Sequence, residues 1–151
     1  VLIIIRSLMI IKNNKRALMI NHLIVLFGMV LIGVGTLLFQ GEMISAPVWM
    51  TLIGTGLYLG YVPFNSVFFD RLIATFQYAG TVGFVMYIAD SFGYLGSISV
   101  LFFKEFSYAS LSWLEFFIAC GLTISIAGSL LIFGSMMYFH RKHLHWQKVA
   151  K

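Results

Sequence analysis

The chain has 151 residues, 60% of them hydrophobic and only 10% charged, with a formal net charge of +5. A soluble domain carries about 25% charged residues, so this chain has too few polar side chains to cover a water-exposed surface. Its apolar residues run in long blocks instead of alternating every second residue, which excludes a β-barrel and leaves membrane-spanning helices.

Residues 1–11 open on an apolar run that precedes Arg6, the reverse of a secretory signal. They read as the tail of an earlier helix, and the chain as the C-terminal part of a longer protein. The first complete span is expected at residues 17–39, rich in Leu, Ile, Val, Gly and Met. At about 1.5 Å per residue it crosses a hydrocarbon core about 30 Å thick. Gln40, Gly41, Glu42 and Ser45 form a short loop. The second span, 47–62, starts on Pro47, a residue suited to a first helical turn, and ends or bends at Pro63 and Asn65. Residues 64–78 mix Asp70, Arg71 and Gln77 with Phe and Leu and suit an interfacial turn or short amphipathic helix. The third span is expected at 79–103, closed by Lys104, Glu105, Ser107 and Ser110. The fourth covers 111–139, with Glu115 near enough to its start, beside Trp113, to snorkel to the interface. A basic, aromatic tail fills 140–151.

The basic residues fit this layout. Lys12, Lys15 and Arg16, then Arg71, then Arg141, Lys142, Lys148 and Lys151 all fall on one side of four antiparallel spans. The opposite loops hold Glu42 and the pair Lys104 and Glu105. The positive charge therefore sets orientation, with both ends cytoplasmic, and does not mark a nucleic-acid surface. Small-residue stripes at Gly56 and Gly60, at Ala89, Gly93 and Ser97, and at Gly121, Ser125 and Ser129 suit close helix packing, with dimerisation or a hinge as alternatives.

Asp90 stands near the middle of the third expected span, where a carboxylate costs about 2.5–3.5 kcal/mol on insertion scales. Gly83, Tyr87, Asp90, Tyr94 and Ser97 share its helical face, opposite Val85, Ile88, Phe92, Leu95 and Ser99. Two roles stay open: a proton or cation relay or solute contact, and a buried carboxyl hydrogen-bonded to a neighbouring helix. Thr51, Thr55, Tyr58 and Asn65 lie near one face of the second span, where the threonines are more simply bonded to their own backbone. Asp70 and Arg71 are candidates for a gating ion pair at the cytoplasmic mouth, or else a solvated loop with an orienting arginine. His140, His143 and His145 sit among Arg141 and Lys142 and read as basic tail before metal site. Cys120 stands alone, so no disulfide framework forms within the chain. No nucleophile–base set, phosphate loop or zinc motif is present in the sequence, so neither an enzyme nor a cofactor is expected.

The stretch 58–97 carries a resemblance, in Asn65, in Asp70, Arg71, Leu72, Ile73 and Ala74, and in residues 87–96. It resembles a family of bacterial multi-pass proteins labelled only as a domain of unknown function, itself similar to the major facilitator superfamily. Gly80 and Thr81, with the Gly-containing run 92–96, match the way that superfamily's penultimate helix often opens and ends. The resemblance implies an all-α membrane protein whose four complete spans are the last of twelve. Spans two and three would line a central cavity with the missing N-terminal helices, and spans one and four would face lipid. It further implies a secondary transporter of a small solute in a bacterial plasma membrane, with Asp90, Tyr87, Tyr94, Tyr58 and Asn65 on the pathway. The alternative is a free-standing four-helix membrane protein with a structural or accessory role.

Overall fold

The computed structural model describes the backbone of residues 2–77, 80–107 and 112–149 and, except at 2, 4, 5, 107 and 143–149, their side chains. The expected starts of spans three and four at 79 and 111, Ser110, Lys151 and the side chains of Ser107, His143, His145 and Lys148 lie outside this description. Its elements are α1 (Leu2–Ile10), α2 (Asn14–Gln40), α3 (Ala46–Pro63), a π-helical stretch (Phe64–Phe68), α4 (Phe69–Phe76), α5 (Val82–Ser107) and α6 (Trp113–Val149). Among the described residues there is no strand, and four helices are long and apolar enough to cross a membrane.

Local chemistry sets the helix ends. Asn13 caps α2, its side chain accepting from the Arg16 amide at 3.1 Å. α2 stops in a Schellman turn: the Glu42 amide donates to the Phe39 carbonyl at 3.1 Å and the Met43 amide to Leu38 at 3.0 Å. Glu42 occupies the left-handed position of that turn, at φ 55°. Ser112 and Glu115 form a capping box at the start of α6. The Ser112 amide donates to Glu115 Oε2 at 2.9 Å, and the Glu115 amide donates to Ser112 Oγ at 3.2 Å. The Ser-x-x-Glu spacing carries this motif, so the snorkelling role expected of Glu115 gives way to a cap.

The second span does not end at Pro63. α3, the π stretch and α4 form one continuous helical segment of 31 residues, Ala46–Phe76. Proline cannot donate to the carbonyl one turn back, and its ring crowds that turn. The helix here widens into π geometry instead of breaking, and Asn21 of α2 donates from Nδ2 to the Pro63 carbonyl at 2.9 Å. The segment ends where Gln77 turns left-handed at φ 52°. At the other end of the chain, residues 140–149, expected as a tail, continue α6.

α2 is the centre of the bundle. It runs antiparallel to α3, with Gly28 opposite Gly56 and Gly60, and Thr36 and Phe39 opposite Trp49. It also runs antiparallel to α6, with His22 opposite Ser135 and Gly33 opposite Ser125. At the Gly28–Gly56 crossing, a β-carbon on Gly28 would stand 2.7 Å from the Gly56 carbonyl oxygen, so the two backbones touch. Trp49, buried on α3, stacks on Phe39 at 4.1 Å between ring centroids and donates to Thr36 Oγ1 at 3.3 Å. Toward the opposite end, Leu18, Phe68, Phe69 and Phe76 form a second core, against which Val82, Val85, Met86 and Ala89 of α5 pack.

Within the chain, 39% of the most apolar stretch of α2 and 44% of that of Ala46–Phe76 is buried, against none of α5. Spans one and two are therefore the enclosed pair. α5 leans on the bundle through its first two turns and is exposed from Ser91 to Phe103. Lys104 rejoins it to α6, with its ammonium over the Trp113 ring at 4.9 Å.

Candidate functional site

Two of the residues singled out from the sequence meet. Asn65, in the π stretch, donates from Nδ2 to Asp90 Oδ1 on α5 at 3.5 Å, a long hydrogen bond between half-buried side chains. The π turn places Asn65 there. Ser66, next in sequence, is tied back to its own helix through a 2.7 Å bond from Oγ to the Val62 carbonyl. α5 presents Asp90 at the level where its contact with the Phe68 and Phe69 core ends.

Asp90 is the ninth residue of α5. That puts it about 12 Å along the helix axis from Val82 and about 25 Å from Ser107 at 1.5 Å per residue. It therefore lies about 7 Å from the middle of α5, toward the end that carries the basic residues, instead of at the middle as expected. The shift arises because α5 begins at Val82 and runs to Ser107.

The tyrosines do not close around this pair. Tyr58, Tyr87 and Tyr94 are all exposed. Tyr87 lines a shallow groove of about 310 Å³ on the outer face of α5 with Phe84, Ile88, Ser91, Phe92 and Leu95. Ser91, Ser97 and Ser99 bond back to carbonyls of their own helix at 2.7–3.0 Å. Thr51 and Thr55 do the same on α3 at 2.8 Å. Gly93 faces open space and Ser97 is exposed, so of the stripe of Ala89, Gly93 and Ser97 only Ala89 packs against the bundle.

Asp70 and Arg71 do not pair. Asp70 is exposed, and no ion pair joins it to Arg71 among the described residues. Arg71 turns inward, donating from Nη1 to Asn14 Oδ1 at 2.6 Å and from Nη2 to the Met9 carbonyl at 3.4 Å. Successive residues of a helix point about 100° apart, so Asp70 faces away from the α1–α2 junction that Arg71 clamps.

A second polar node was not anticipated from the sequence. Asn21 and His22 of α2 are both fully buried. One His22 ring nitrogen, Nδ1, lies 2.8 Å from the Leu18 carbonyl, and the other, Nε2, lies 3.1 Å from Ser135 Oγ on α6. Its ring packs against Phe68 and Phe139. Two adjacent polar residues inside an apolar block are the sequence signal for this node.

Residues 1–142 match the model of a protein family described as a family of unknown function, DUF5690. No curated protein and no solved structure matches the chain.

Proposed function

The chain belongs to the DUF5690 family, and we propose that it forms part of an integral membrane transporter of the major-facilitator type, moving a small solute with proton coupling through Asp90. The observation that carries this reading is the Asn65–Asp90 contact between helices within the lipid-suited part of the fold. A carboxyl at that depth is costly, and such residues commonly mark solute or proton paths. Asn65 holds one carboxyl oxygen and leaves the other to bind a proton or a cation. The exposed tyrosines on α3 and α5 would line a cavity completed by helices from outside this chain. The protein would sit in a bacterial plasma membrane with the basic ends of its helices in the cytoplasm.

One observation favours a second reading. The glycine seam of α2, α3 and α6 is self-contained, as expected of a free-standing bundle with a structural or accessory role. A transport assay separates the two. The natural gene product, reconstituted in vesicles enclosing a pH-sensitive dye, is challenged with a panel of small solutes. The solute that drives proton movement is then tested with Asp90→Asn, which keeps size and hydrogen bonding but cannot ionise. Proton-coupled uptake should fall at least about tenfold, equivalent to about 1.4 kcal/mol, with folding unchanged. Wild-type coupling in Asp90→Asn would make the carboxyl a structural hydrogen-bond partner.

A further inference from the structure

From the outer face of α6 we infer a binding site for an anionic phospholipid, lined by Gly134, Met137, Tyr138, Arg141 and Lys142. These residues recur at intervals of three and four along α6, so they form one stripe. The stripe is a groove of about 560 Å³. Its floor exists because Gly134 has no side chain: a β-carbon there would meet nothing within 4 Å. Met137 and Tyr138 flank the floor, and both are exposed. The interleaved residues Ser135 and Phe139 face the other way, against His22 of α2. The groove therefore opens outward from the bundle, where acyl chains lie.

The charge is at one end. Arg141 is exposed, and Lys142 is held at the rim, its Nζ 3.5 Å from the Tyr138 hydroxyl and 5.4 Å from the centre of the Phe76 ring. Both cations stand at the last turn of the apolar stretch Trp113–Lys142. Antiparallel packing brings the first turn of α2, with Lys15 and Arg16, to the same end. Arg71 is bonded to Asn14 there. The groove thus joins an apolar floor to a cationic rim at the depth where a bilayer passes from acyl chain to phosphate. A free phosphate ion would use the rim alone, whereas a phospholipid with a net negative headgroup fits rim and floor together. Basic pockets at membrane boundaries select such headgroups, each nearby Lys or Arg adding a comparable increment of attraction. The site does not depend on whether Asp90 conducts protons.

The test is native mass spectrometry of the natural gene product released from micelles, titrated with phosphatidylglycerol, with phosphatidylcholine of identical chains, and with inorganic phosphate. Wild type should prefer phosphatidylglycerol. The double variant Arg141→Gln/Lys142→Gln should lose about 25-fold of that preference, two increments of about fivefold each. Gly134→Leu keeps both charges and fills the floor, and it should weaken both lipids while leaving any phosphate adduct unchanged. Gly134 and Arg141 are exposed, so size-exclusion profiles of both variants should match wild type. The proposal is overturned if the double variant keeps the preference, if Gly134→Leu binds lipid like wild type, or if inorganic phosphate competes as well as the lipid.

Discussion

Asn21 is fully buried and donates to the Pro63 carbonyl, while its own Oδ1 has no hydrogen-bond partner among the described residues. The amide is thus held for one of its two functions, satisfying a carbonyl in the widened turn. Interhelical hydrogen bonds in bilayers are worth about 0.6 kcal/mol on average and up to about 1.7. Asn21→Ala should therefore lower stability by about 1 kcal/mol, read by SDS titration in mixed micelles, with a larger loss than Thr51→Ala, whose hydroxyl bonds only its own helix. Glu42 makes the opposite case. An L-residue in left-handed geometry is strained by roughly 1 kcal/mol, so Glu42→Gly should stabilise the α2–α3 turn, less the extra flexibility glycine gives the unfolded chain. Single residues of this kind are hard to read from sequence. Asn21 and His22 vanish in the average of an apolar block, and nothing in the short loop Gln40, Gly41, Glu42 and Ser45 singles out Glu42 over Gly41 for the left-handed position. The spacing of Ser112 and Glu115 defines a capping box, yet Trp113 beside them points instead to a Glu115 that snorkels to the interface, which is the expectation the structure replaces.

At the scale of the element, the glycines of α2 and α3 remove every side chain from the point where the helices cross. Gly56→Val would drive a β-carbon to 2.6 Å from Ile32 Cγ1 and 2.7 Å from the Gly28 carbonyl oxygen. The backbone cannot yield there, and overpacking of this kind costs about 1–3 kcal/mol. Gly93→Ala on α5, where a β-carbon meets open space, should cost no stability in the same titration. Equal losses at the two sites would show that general helix effects, not the crossing, set the result. Sequence reasoning placed both stripes at interfaces, because small-residue spacing is identical whether or not a partner is present. Pro63 misled for a related reason. The local rule that proline breaks a helix holds for an isolated segment, and here the chain widens into a π turn whose Pro63 carbonyl is bonded by the side-chain amide of Asn21.

For the whole molecule, the four long helices were legible because hydropathy depends on composition over twenty residues, which single polar positions barely change. The ends of the second and fourth moved far, from 62 to 76 and from 139 to 149, while the third moved from 79–103 to 82–107, enough to move its middle by about 5 Å relative to Asp90. Which helix lies at the centre was not legible, since α2 and α6 have similar hydropathy, 2.4 and 2.3, and differ in what packs on them. Basic residues gathered at one end of the fold lead to a topological prediction. With Cys120→Ser as background, a cysteine at Glu42 should react with an impermeant maleimide in intact cells, and one at Lys12 should react only after lysis. The inverse pattern would reverse the proposed orientation. The touching backbones at Gly28 and Gly56 carry a mechanical consequence as well. A slide of one residue along that crossing would push Ile32 or Leu59 into a carbonyl, so α2 and α3 cannot shear and must travel as a rigid body. α5 meets that body through two turns of apolar contact and the Asn65–Asp90 bond at one end, and through Lys104 over Trp113 at the other, so it can move against the pair only by giving up those contacts.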